Sequence, residues 1–587
     1  MTHRYQRRSR RNFALHCALA ATLAALTGCA DPTSQPRASA APETVQTGTA
    51  AVAMPDRYSA AAAERILRAG GNAVDAAIAA GFALAVTYPE AGNIGGGGFM
   101  LLRVDGVSEF IDYRETAPAA ASADMFLDAD GEVIEGSTLT GHRAAGVPGT
   151  VAGFWLAHQR AGTLPWARLL EPAIELARDG FEVHPDLAAS YRSALRRHGE
   201  IEPGIVVNLR AHFGAMDAGD VLKQPALAAT LGRVSRDGPE DFYRGRTAAL
   251  IAAEMRRNGG LIDAADLARY TAAVREPLVA RWRDYEVNTA PPPSSGGIAL
   301  LQLLKMRDAL GDAFAGLAHN SAQYVHLIAE IEKRVFADRA EYLGDPDFIS
   351  VPVTRLVADD YIERRAAEVD RHAISKLEAI DPGLESTDTT HYSVVDRWGN
   401  AVANTYTINF GFGNGVVVAD AGFLLNNEMD DFSAKPGVPN IFGVVGADAN
   451  AIAPGKRMLS SMTPTLLLRD GRTAMVLGTP GGSTIFTTVF QTLLNALDFD
   501  MSAQEAASAP RFHHQLLPPD LISMSLELPD ETQRQLRARG YRVEPNSWGI
   551  YGDMQLLWRR EDGWDAGSDA RYRGESRVIG GPWTAAD

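Results

Sequence analysis

The sequence has 587 residues, a formal net charge of −16, and 46% apolar and 22% charged residues. This length and composition are typical of a soluble globular protein with a large buried core. The acidic balance argues against nucleic acid as a partner, because a phosphate backbone is recognised by basic surfaces.

The N-terminus has the pattern of a secretory signal. Five arginines within the first eleven residues precede an uncharged run over 13–28, which is too short to span a bilayer comfortably. Residues 9–14 (Ser-Arg-Arg-Asn-Phe-Ala) resemble a twin-arginine export signal, and residues 26–29 (Leu-Thr-Gly-Cys) resemble a bacterial lipobox. We therefore predict a signal peptide over 1–28, export to the periplasm or cell envelope, and a lipid anchor on Cys29 that contacts a membrane.

The chain after this signal is even more acidic. Removing residues 1–28 deletes five arginines and no acid, so the net charge goes from −16 to −21. The only cysteines are Cys17 and Cys29, so the exported chain has no internal disulfide available. Residues 29–51 are rich in Ala, Pro, Ser and Thr, which predicts a flexible tether, with folded structure beginning near Ser59.

Both helical and strand patterns follow along the chain. Apolar spacing and glycine stops predict helices over 60–68, 73–86, 165–178, 245–258, 318–342 and 484–497. Strands are predicted over 99–104, 391–396, 401–408 and 474–477, and residues 396–400 read as the turn of a hairpin. The mixture predicts a layered α/β or α+β fold.

The glycine-rich stretches do not have the spacing of nucleotide-binding motifs. Gly95–Gly98 lacks a dinucleotide fingerprint, and turn chemistry is the better interpretation. Residues 478–483 differ because they join a short strand to a helix, where backbone N–H groups favour an anion or the oxyanion of an acyl-transfer intermediate. No nucleophile-elbow serine, zinc-binding helix or paired-cysteine spacing occurs, so no metal and no cofactor are predicted. His513 and His514 are more typical of a structural pair than of metal ligands.

The sequence Asp388-Thr389-Thr390-His391 contains a threonine that would carry both a nucleophile and its base if the chain were cut before it. A threonine hydroxyl is a poor nucleophile without an adjacent base, and cleavage of the Asp388–Thr389 bond would supply the α-amine of Thr389 as that base. The simpler interpretation is that Thr389 only begins a strand.

A second group of polar residues follows at 426–432, where two asparagines precede Glu428, Asp430 and Asp431. A solvated loop is one interpretation. The apolar residues around the carboxylates favour partial burial, and a buried carboxylate requires a cationic partner such as a substrate ammonium.

Taken in order, these stretches resemble bacterial γ-glutamyltransferase. The resemblance rests on 71–100, 112–118, 291–297, 341–346, 389–393, 426–432, 459–462 and 480–483, and extends from about residue 51 to about residue 571. It implies an α+β fold, namely the four-layer αββα sandwich of N-terminal nucleophile hydrolases. It also implies a precursor that cleaves itself at Asp388–Thr389 into an intertwined large subunit (52–388 after the tether) and small subunit (389–587).

The resemblance also implies a role for each site residue. Thr389 attacks the γ-carbonyl of a γ-glutamyl amide such as glutathione, Thr407 orients the Thr389 amine, and the N–H groups of Gly481 and Gly482 stabilise the oxyanion. The substrate α-carboxylate and α-ammonium are expected to be bound by Arg114, Ser460, Ser461, Asn409, Glu428 and Asp431. Two alternatives remain: a β-lactam side-chain (glutaryl) acylase on the same fold, and a surface binding protein without catalysis.

Overall fold

The structure is a computed structural model that describes residues 50–376, 389–435, 448–516, 518–546 and 551–581. All of these lie in the compact unit Val45–Asp587. The predicted signal peptide, Cys29 and Asp388 lie outside the described residues, so those predictions remain predictions.

The described residues form helices and strands in comparable numbers. The helices are α1 Arg57–Arg68, α2 Ala73–Thr87, α3 Thr150–Ala161, α4 Trp166–Asp179, α5 Pro185–Ile201, α6 Pro203–Phe213, α7 Pro225–Asp237, α8 Pro239–Tyr243, α9 Arg246–Asn258, α10 Ala264–Arg269, α11 Gly296–Ala309, α12 Gly311–Phe314, α13 Ala322–Tyr342, α14 Val353–Leu356, α15 Asp359–Ala367, α16 Thr484–Asp498, α17 Ala503–Ser508 and α18 Asp530–Arg539. Short 3₁₀ helices occur at His142–Ala144, Glu428–Asp431 and Asp448–Asn450.

The strands are β1 Ala50–Met54, β2 Gly97–Val104, β3 Val107–Asp112, β4 Phe181–Glu182, β5 Val221–Leu222, β6 Ala273–Arg275, β7 Leu278–Trp282, β8 Tyr285–Thr289, β9 Thr390–Val395, β10 Ala401–Thr407, β11 Val417–Val418, β12 Phe423–Leu424, β13 Thr465–Arg469, β14 Arg472–Gly478, β15 Phe512–His514, β16 Leu521–Met524, β17 Arg542–Pro545, β18 Gln555–Arg560, β19 Gly563–Ser568 and β20 Glu575–Ile579.

Two large sheets form the centre of the fold. Among the described residues, one sheet has the order β20-β1-β9-β10-β2-β3-β6 and the other the order β19-β18-β14-β13-β8-β7. Their facing sides share a core that includes Phe99, Leu101, Val395, Leu466 and Val476. Alternate residues of the same strands point to the outer faces, as the two-residue period of a strand requires.

A helical layer covers each outer face. Met100 and Val394 of the first sheet pack in a core with α1, α2, α3 and α4. Leu467 and Met475 of the second sheet pack in a core with α11, α13 and α16. The order helices, sheet, sheet, helices confirms the predicted α+β four-layer sandwich. No helix within the described ranges is both long and apolar enough to cross a membrane.

Most predicted elements are confirmed, and one boundary is wrong. The six predicted helices and four predicted strands correspond to α1, α2, α4, α9, α13, α16, β2, β9, β10 and β14, with ends shifted by a few residues. The tether predicted over 29–51 ends too late, because Ala50 and Ala51 already belong to β1. This strand lies between β20 and β9 and is buried on both faces, so its Ala-rich sequence reflects packing rather than strand propensity.

Candidate functional site

The pairing of β9 with β10 determines the place of the candidate nucleophile. The two strands are antiparallel, and Thr390 pairs with Tyr406. The next pair in this register is Thr389 with Thr407. Because Val395 and Ala401 point into the space between the sheets, alternation places the side chains of Thr389 and Thr407 on that same inner side. Both threonines are buried and line one pocket.

Hydrogen bonds fix the end of β10 at this position. The Asn409 N–H donates to Thr407 Oγ1 at 2.7 Å, and Asn93 Nδ2 donates to the Thr407 carbonyl at 2.9 Å. Asn93 Oδ1 in turn accepts from the N–H of Gly96 at 2.9 Å. Thr407 is therefore held through both its backbone and its hydroxyl, as a residue that orients a catalytic amine would have to be.

The four consecutive glycines at 95–98 are explained by close packing. Gly95 and Gly96 lie in a bend, as turn chemistry predicts, but the turn predicted for Gly97 and Gly98 is wrong. Gly97 and Gly98 begin β2, and a Cβ at Gly96 would lie 2.1 Å from the carbonyl oxygen of Thr407. A Cβ at Gly98 would lie 2.5 Å from the carbonyl oxygen of Thr405. Only glycine permits β2 to approach β10 this closely.

The stretch 478–483 connects β14 to α16, as the sequence predicts. Gly481 and Gly482 have φ angles of 132° and 56°, which favour glycine. Gly482 lines the pocket that contains Thr389, and Gly481 directly precedes it. The backbone at the start of α16 thus lies next to the candidate nucleophile, where N–H groups can stabilise a developing negative charge.

A buried charged cluster forms the other side of the pocket. Arg114 Nη1 lies 2.7 Å from Glu428 Oε2 and 3.7 Å from Glu115 Oε2, and Arg114 Nη2 pairs with Asp431. Arg114 also donates from Nε to the Met458 carbonyl at 3.3 Å. One guanidinium is therefore surrounded by three carboxyl groups in a place from which water is largely excluded.

Burial raises the pKa of two of these carboxyl groups, Glu115 and Glu428. It raises the pKa of Glu115 to about 8, and the pKa of Glu428 well above its ordinary value, although Arg114 opposes both shifts. Burial also raises the pKa of Asp430 to about 8, against a hydrogen bond from Thr138. For Arg114, burial lowers the pKa, but Glu428 and Asp431 outweigh it and hold the pKa above its ordinary value.

Two asparagines position the acidic 3₁₀ helix Glu428–Asp431. Asn426 Nδ2 donates to the carbonyls of Gly95 and Gly146, and Asn426 Oδ1 accepts from the N–H of Glu428 at 3.0 Å. The Asn427 carbonyl accepts from Asn409 Nδ2 at 3.0 Å. Asn409 has a φ of 72°, which asparagine tolerates better than most residues. The solvated-loop interpretation of this run is therefore wrong, since it packs against the glycine segment that also contacts β10.

Ser460 and Ser461 complete the pocket and are supported from behind. Ser295 donates to the Ser460 carbonyl from its N–H at 2.7 Å and from Oγ at 2.8 Å, and its Oγ lies 3.3 Å from Ser461 Oγ. Arg339 of α13 donates from Nε to Ser295 Oγ at 3.0 Å. Burial lowers the pKa of Arg339 to about 10, while Asp431 raises it, so a second buried cation lies near the same acid.

The pocket thus gathers nearly all the residues predicted for the site. It is lined by Arg114, Thr389, Thr407, Asn409, Glu428, Asp431, Ser460, Ser461, Met462, Gly482 and Ile485. The roles of Glu115, Ser295 and Arg339 were missed. Glu115 and Ser295 belong to the stretches 112–118 and 291–297 that carry the resemblance. Nothing in the sequence around Arg339 indicates a role in the site.

The described part of the chain contains no cluster of His, Cys, Asp and Glu that could hold a metal ion. His513 and His514 are both buried in β15, and His513 Nδ1 lies 2.9 Å from Thr487 Oγ1. Burial lowers the pKa of each imidazole. This environment supports the predicted structural role of the pair.

Known proteins match this chain over nearly its whole folded length. A family model described as γ-glutamyltranspeptidase matches residues 59–579. The chain belongs to the γ-glutamyltranspeptidase family. A glutathione hydrolase proenzyme of Pseudomonas aeruginosa is 55% identical over 535 residues, which cover 90% of this chain and 94% of the relative. A glutathione hydrolase proenzyme of Escherichia coli K12 is 49% identical over 81% of this chain and 83% of the relative.

A solved structure supports the fold independently. The crystal structure of a cephalosporin acylase from Bacillus halodurans superposes with a TM-score of 0.79 at 27% identity, covering 94% of this chain and 99% of that one. The predicted family resemblance and the predicted fold are therefore both confirmed.

The raised pKa of Asp430 predicts a pH-dependent cost of folding. Between its ordinary pKa of 3.8 and the value of about 8, the folded protein keeps the proton that the unfolded chain releases, so stability falls as pH rises. Asn cannot titrate but can still accept from Thr138. We expect the free energy of unfolding of Asp430→Asn, relative to the wild type, to increase by up to about 1.4 kcal/mol per pH unit between pH 5 and pH 7. Chemical denaturation of the purified protein at each pH measures this difference, and a difference independent of pH would mean that Asp430 is ionised in the folded state.

Proposed function

We propose that this protein is a self-cleaving γ-glutamyltransferase that hydrolyses glutathione and related γ-glutamyl amides. One observation supports the proposal most strongly. A single pocket joins Thr389, Thr407 and Gly482 to the cluster of Arg114, Glu428 and Asp431. The first three residues have the groups that acyl transfer requires, and the cluster has the charges that recognise an amino acid.

Maturation would use Thr389 first. Its Oγ attacks the carbonyl carbon of Asp388, the peptide C–N bond breaks, and water hydrolyses the resulting ester. The products are a carboxylate on Asp388 and a free α-amine on Thr389. Because Thr407 is the next partner in the β9–β10 register, its hydroxyl is placed to orient this amine.

Catalysis would then use the same hydroxyl. The Thr389 α-amine takes the proton of Oγ, and Oγ bonds to the γ-carbonyl carbon of the substrate. The N–H groups of Gly481 and Gly482 stabilise the oxyanion, a contribution worth about 10²–10³ in rate per donor in other enzymes. The amide C–N bond breaks as the protonated α-amine of Thr389 returns the proton to the leaving amine of the substrate. Water or an amino acid then attacks the γ-glutamyl ester, which releases glutamate or a new γ-glutamyl compound and regenerates Thr389.

The charged cluster would bind the glutamyl end of the substrate. Arg114 presents a planar fork that suits the α-carboxylate, and the hydroxyls of Ser460 and Ser461 can donate to the same group. Asn409, Glu428 and Asp431 can accept from the α-ammonium. Since burial raises the pKa of Glu428, an arriving ammonium supplies the positive charge that favours the ionised form of that carboxyl group.

The glutaryl acylase alternative fits this pocket less well. A glutaryl substrate has no α-ammonium, so Glu428 and Asp431 would gain no cation from it. The cephalosporin acylase has the same sandwich fold but is only 27% identical to this chain. The glutathione hydrolase proenzyme of Pseudomonas aeruginosa is 55% identical. A binding protein without catalysis would have no need for Thr389 and Gly482 in one pocket.

We also propose that the protein is exported and anchored by a lipid on Cys29. The charge pattern of 1–28 and the lipobox-like residues 26–29 support this proposal. Mass spectrometry of the N-terminal peptide should find a chain that begins at Cys29 and carries acyl groups. An unmodified Cys29 in the membrane fraction would contradict it.

Replacing the nucleophile should abolish both cleavage and catalysis. We expect Thr389→Ala to remain one uncut chain with at least about a 10⁴-fold loss of activity, because one hydroxyl serves both steps. The matched control is Thr390→Ala, whose side chain points to the opposite face of the sheet and which should still be cut before Thr389. N-terminal sequencing and turnover of a γ-glutamyl anilide measure the two effects. A cut and active Thr389→Ala protein would refute the mechanism.

The charged cluster should discriminate γ-glutamyl from glutaryl substrates. We expect the wild type to prefer a γ-glutamyl anilide over a glutaryl anilide, and Asp431→Asn to lose about 10- to 100-fold in kcat/KM for the γ-glutamyl compound only. Processing at Thr389 should be retained. Equal kcat/KM values of the wild type for the two anilides would instead support the acylase alternative.

A further inference from the structure

The two ends of the sandwich have different surroundings. Thr390 and Val395 are the two ends of β9, about 17 Å apart at strand spacing. The catalytic residues lie at the Thr390 end. Ala51 of β1 pairs with Val395, so the polypeptide that precedes β1 joins the sandwich at the opposite end.

Three hairpin turns are joined at that opposite end. Arg103 Nη2 donates to the Gly471 carbonyl at 3.0 Å, and the Asp105 N–H donates to Asn400 Oδ1 at 3.0 Å. Thr473 Oγ1 donates to the Gly399 carbonyl at 3.2 Å. We call the surface made by residues 105–107, 397–400 and 469–472, together with Arg103, the tip face. These cross-turn hydrogen bonds make it one ordered surface rather than three separate loops.

The tip face combines exposed apolar side chains with guanidinium groups. Trp398 is 56% exposed and Val107 is 61% exposed. Arg397 stacks over the Trp398 ring at 4.3 Å, and further arginines of the face are Arg103, Arg469 and Arg472. Asp105 and Asp470 are its acidic members, and Arg469 also lies 3.5 Å from Asp284. The β18–β19 turn, which the strand register places beside Arg472, adds Glu561 and Asp562 at the border of the face. This composition differs from that of the whole chain, whose net charge is −16.

Tryptophan beside arginine is the side-chain combination that suits the interface of a lipid bilayer. The indole ring favours the headgroup level, and guanidinium groups are attracted to anionic lipid phosphates. The predicted lipid on Cys29 would bring this end of the sandwich close to a bilayer. Residues 29–49 separate Cys29 from β1, and the tether that the sequence predicts there would have a root-mean-square span of about 25 Å.

We propose that the tip face rests on an anionic phospholipid bilayer, with the catalytic pocket at the far end of the sandwich and open to the aqueous side. The face would then add a second membrane contact to the one that the lipid on Cys29 makes. The proposal goes beyond the proposed function: it does not depend on the proposed catalysis, but it rests on the proposed lipid anchor at Cys29.

A pair of exposed valines allows a direct test on the full, processed protein. Val107→Cys places a single accessible thiol on the tip face, and Val207→Cys, on the exposed side of α6, is the matched control at 69% exposure. Each protein, with a fluorescent label on the new thiol, is reconstituted into vesicles of phosphatidylethanolamine with about one third phosphatidylglycerol and a nitroxide-labelled lipid. We expect the lipid to quench the label at 107 and to leave the label at 207 unaffected.

Charge reversal tests the contribution of the arginines. Arg397→Glu with Arg472→Glu should abolish the quenching at 107 while γ-glutamyl turnover stays unchanged, because neither residue belongs to the catalytic pocket. Arg210→Glu with Arg256→Glu, on α6 and α9, changes the net charge by the same amount and should preserve the quenching. Equal quenching at 107 and 207, quenching at neither position, or quenching that survives the first double substitution would overturn the proposal. Protection of the label at 107 without vesicles would assign the face to a second copy of the chain instead.

Discussion

The antiparallel pairing of β9 with β10 is the constraint on which the rest of the site depends. A strand period of two residues means that a register shift of one would turn Thr389 away from the space between the sheets. The register is enforced by packing, because both strands are buried on both faces and β2 approaches β10 through glycines that exclude any larger residue. The candidate nucleophile Thr389 is therefore positioned by the core of the protein.

In the charged half of the pocket, burial determines which groups carry a charge. Arg114 lies among Glu115, Glu428 and Asp431, and removing such groups from water is costly unless charges are matched. The site meets this cost partly by protonation, since the pKa of Glu115 is raised to about 8 and that of Glu428 is also raised. The zwitterionic amino acid end of the proposed substrate would change this charge balance twice. Its ammonium would stabilise the ionised acids, and its carboxylate would give Arg114 an additional anionic partner.

The residues that could be predicted from the sequence are those whose chemistry is visible locally. Thr389 beside a cleavable bond, the acids at 428–431 and the glycines at 481–482 each indicate a function within a few residues, and the ordered family motifs made these indications specific. Arg339 could not be found in this way, because it acts through Ser295, far from it in sequence. The predictions for Gly97, Gly98 and β1 are wrong for the same reason. Their conformations are imposed by the strands against which they pack.

The sheet order also explains how a cut chain can remain one molecule. If the bond before Thr389 breaks, β9, β10 and β20 belong to the small subunit, whereas β1, β2, β3 and β6 belong to the large one. In the order β20-β1-β9-β10-β2-β3-β6, β1 then lies between two strands of the small subunit, and β10 pairs with β2 of the large subunit. The second sheet is also shared, since β8 of the large subunit pairs with β13 of the small one. Separation would require breaking central ladders in both sheets and exposing the core between them. Cleavage can therefore release the Thr389 amine at one end of β9 while hydrogen bonds along both edges of that strand keep the amine beside Thr407.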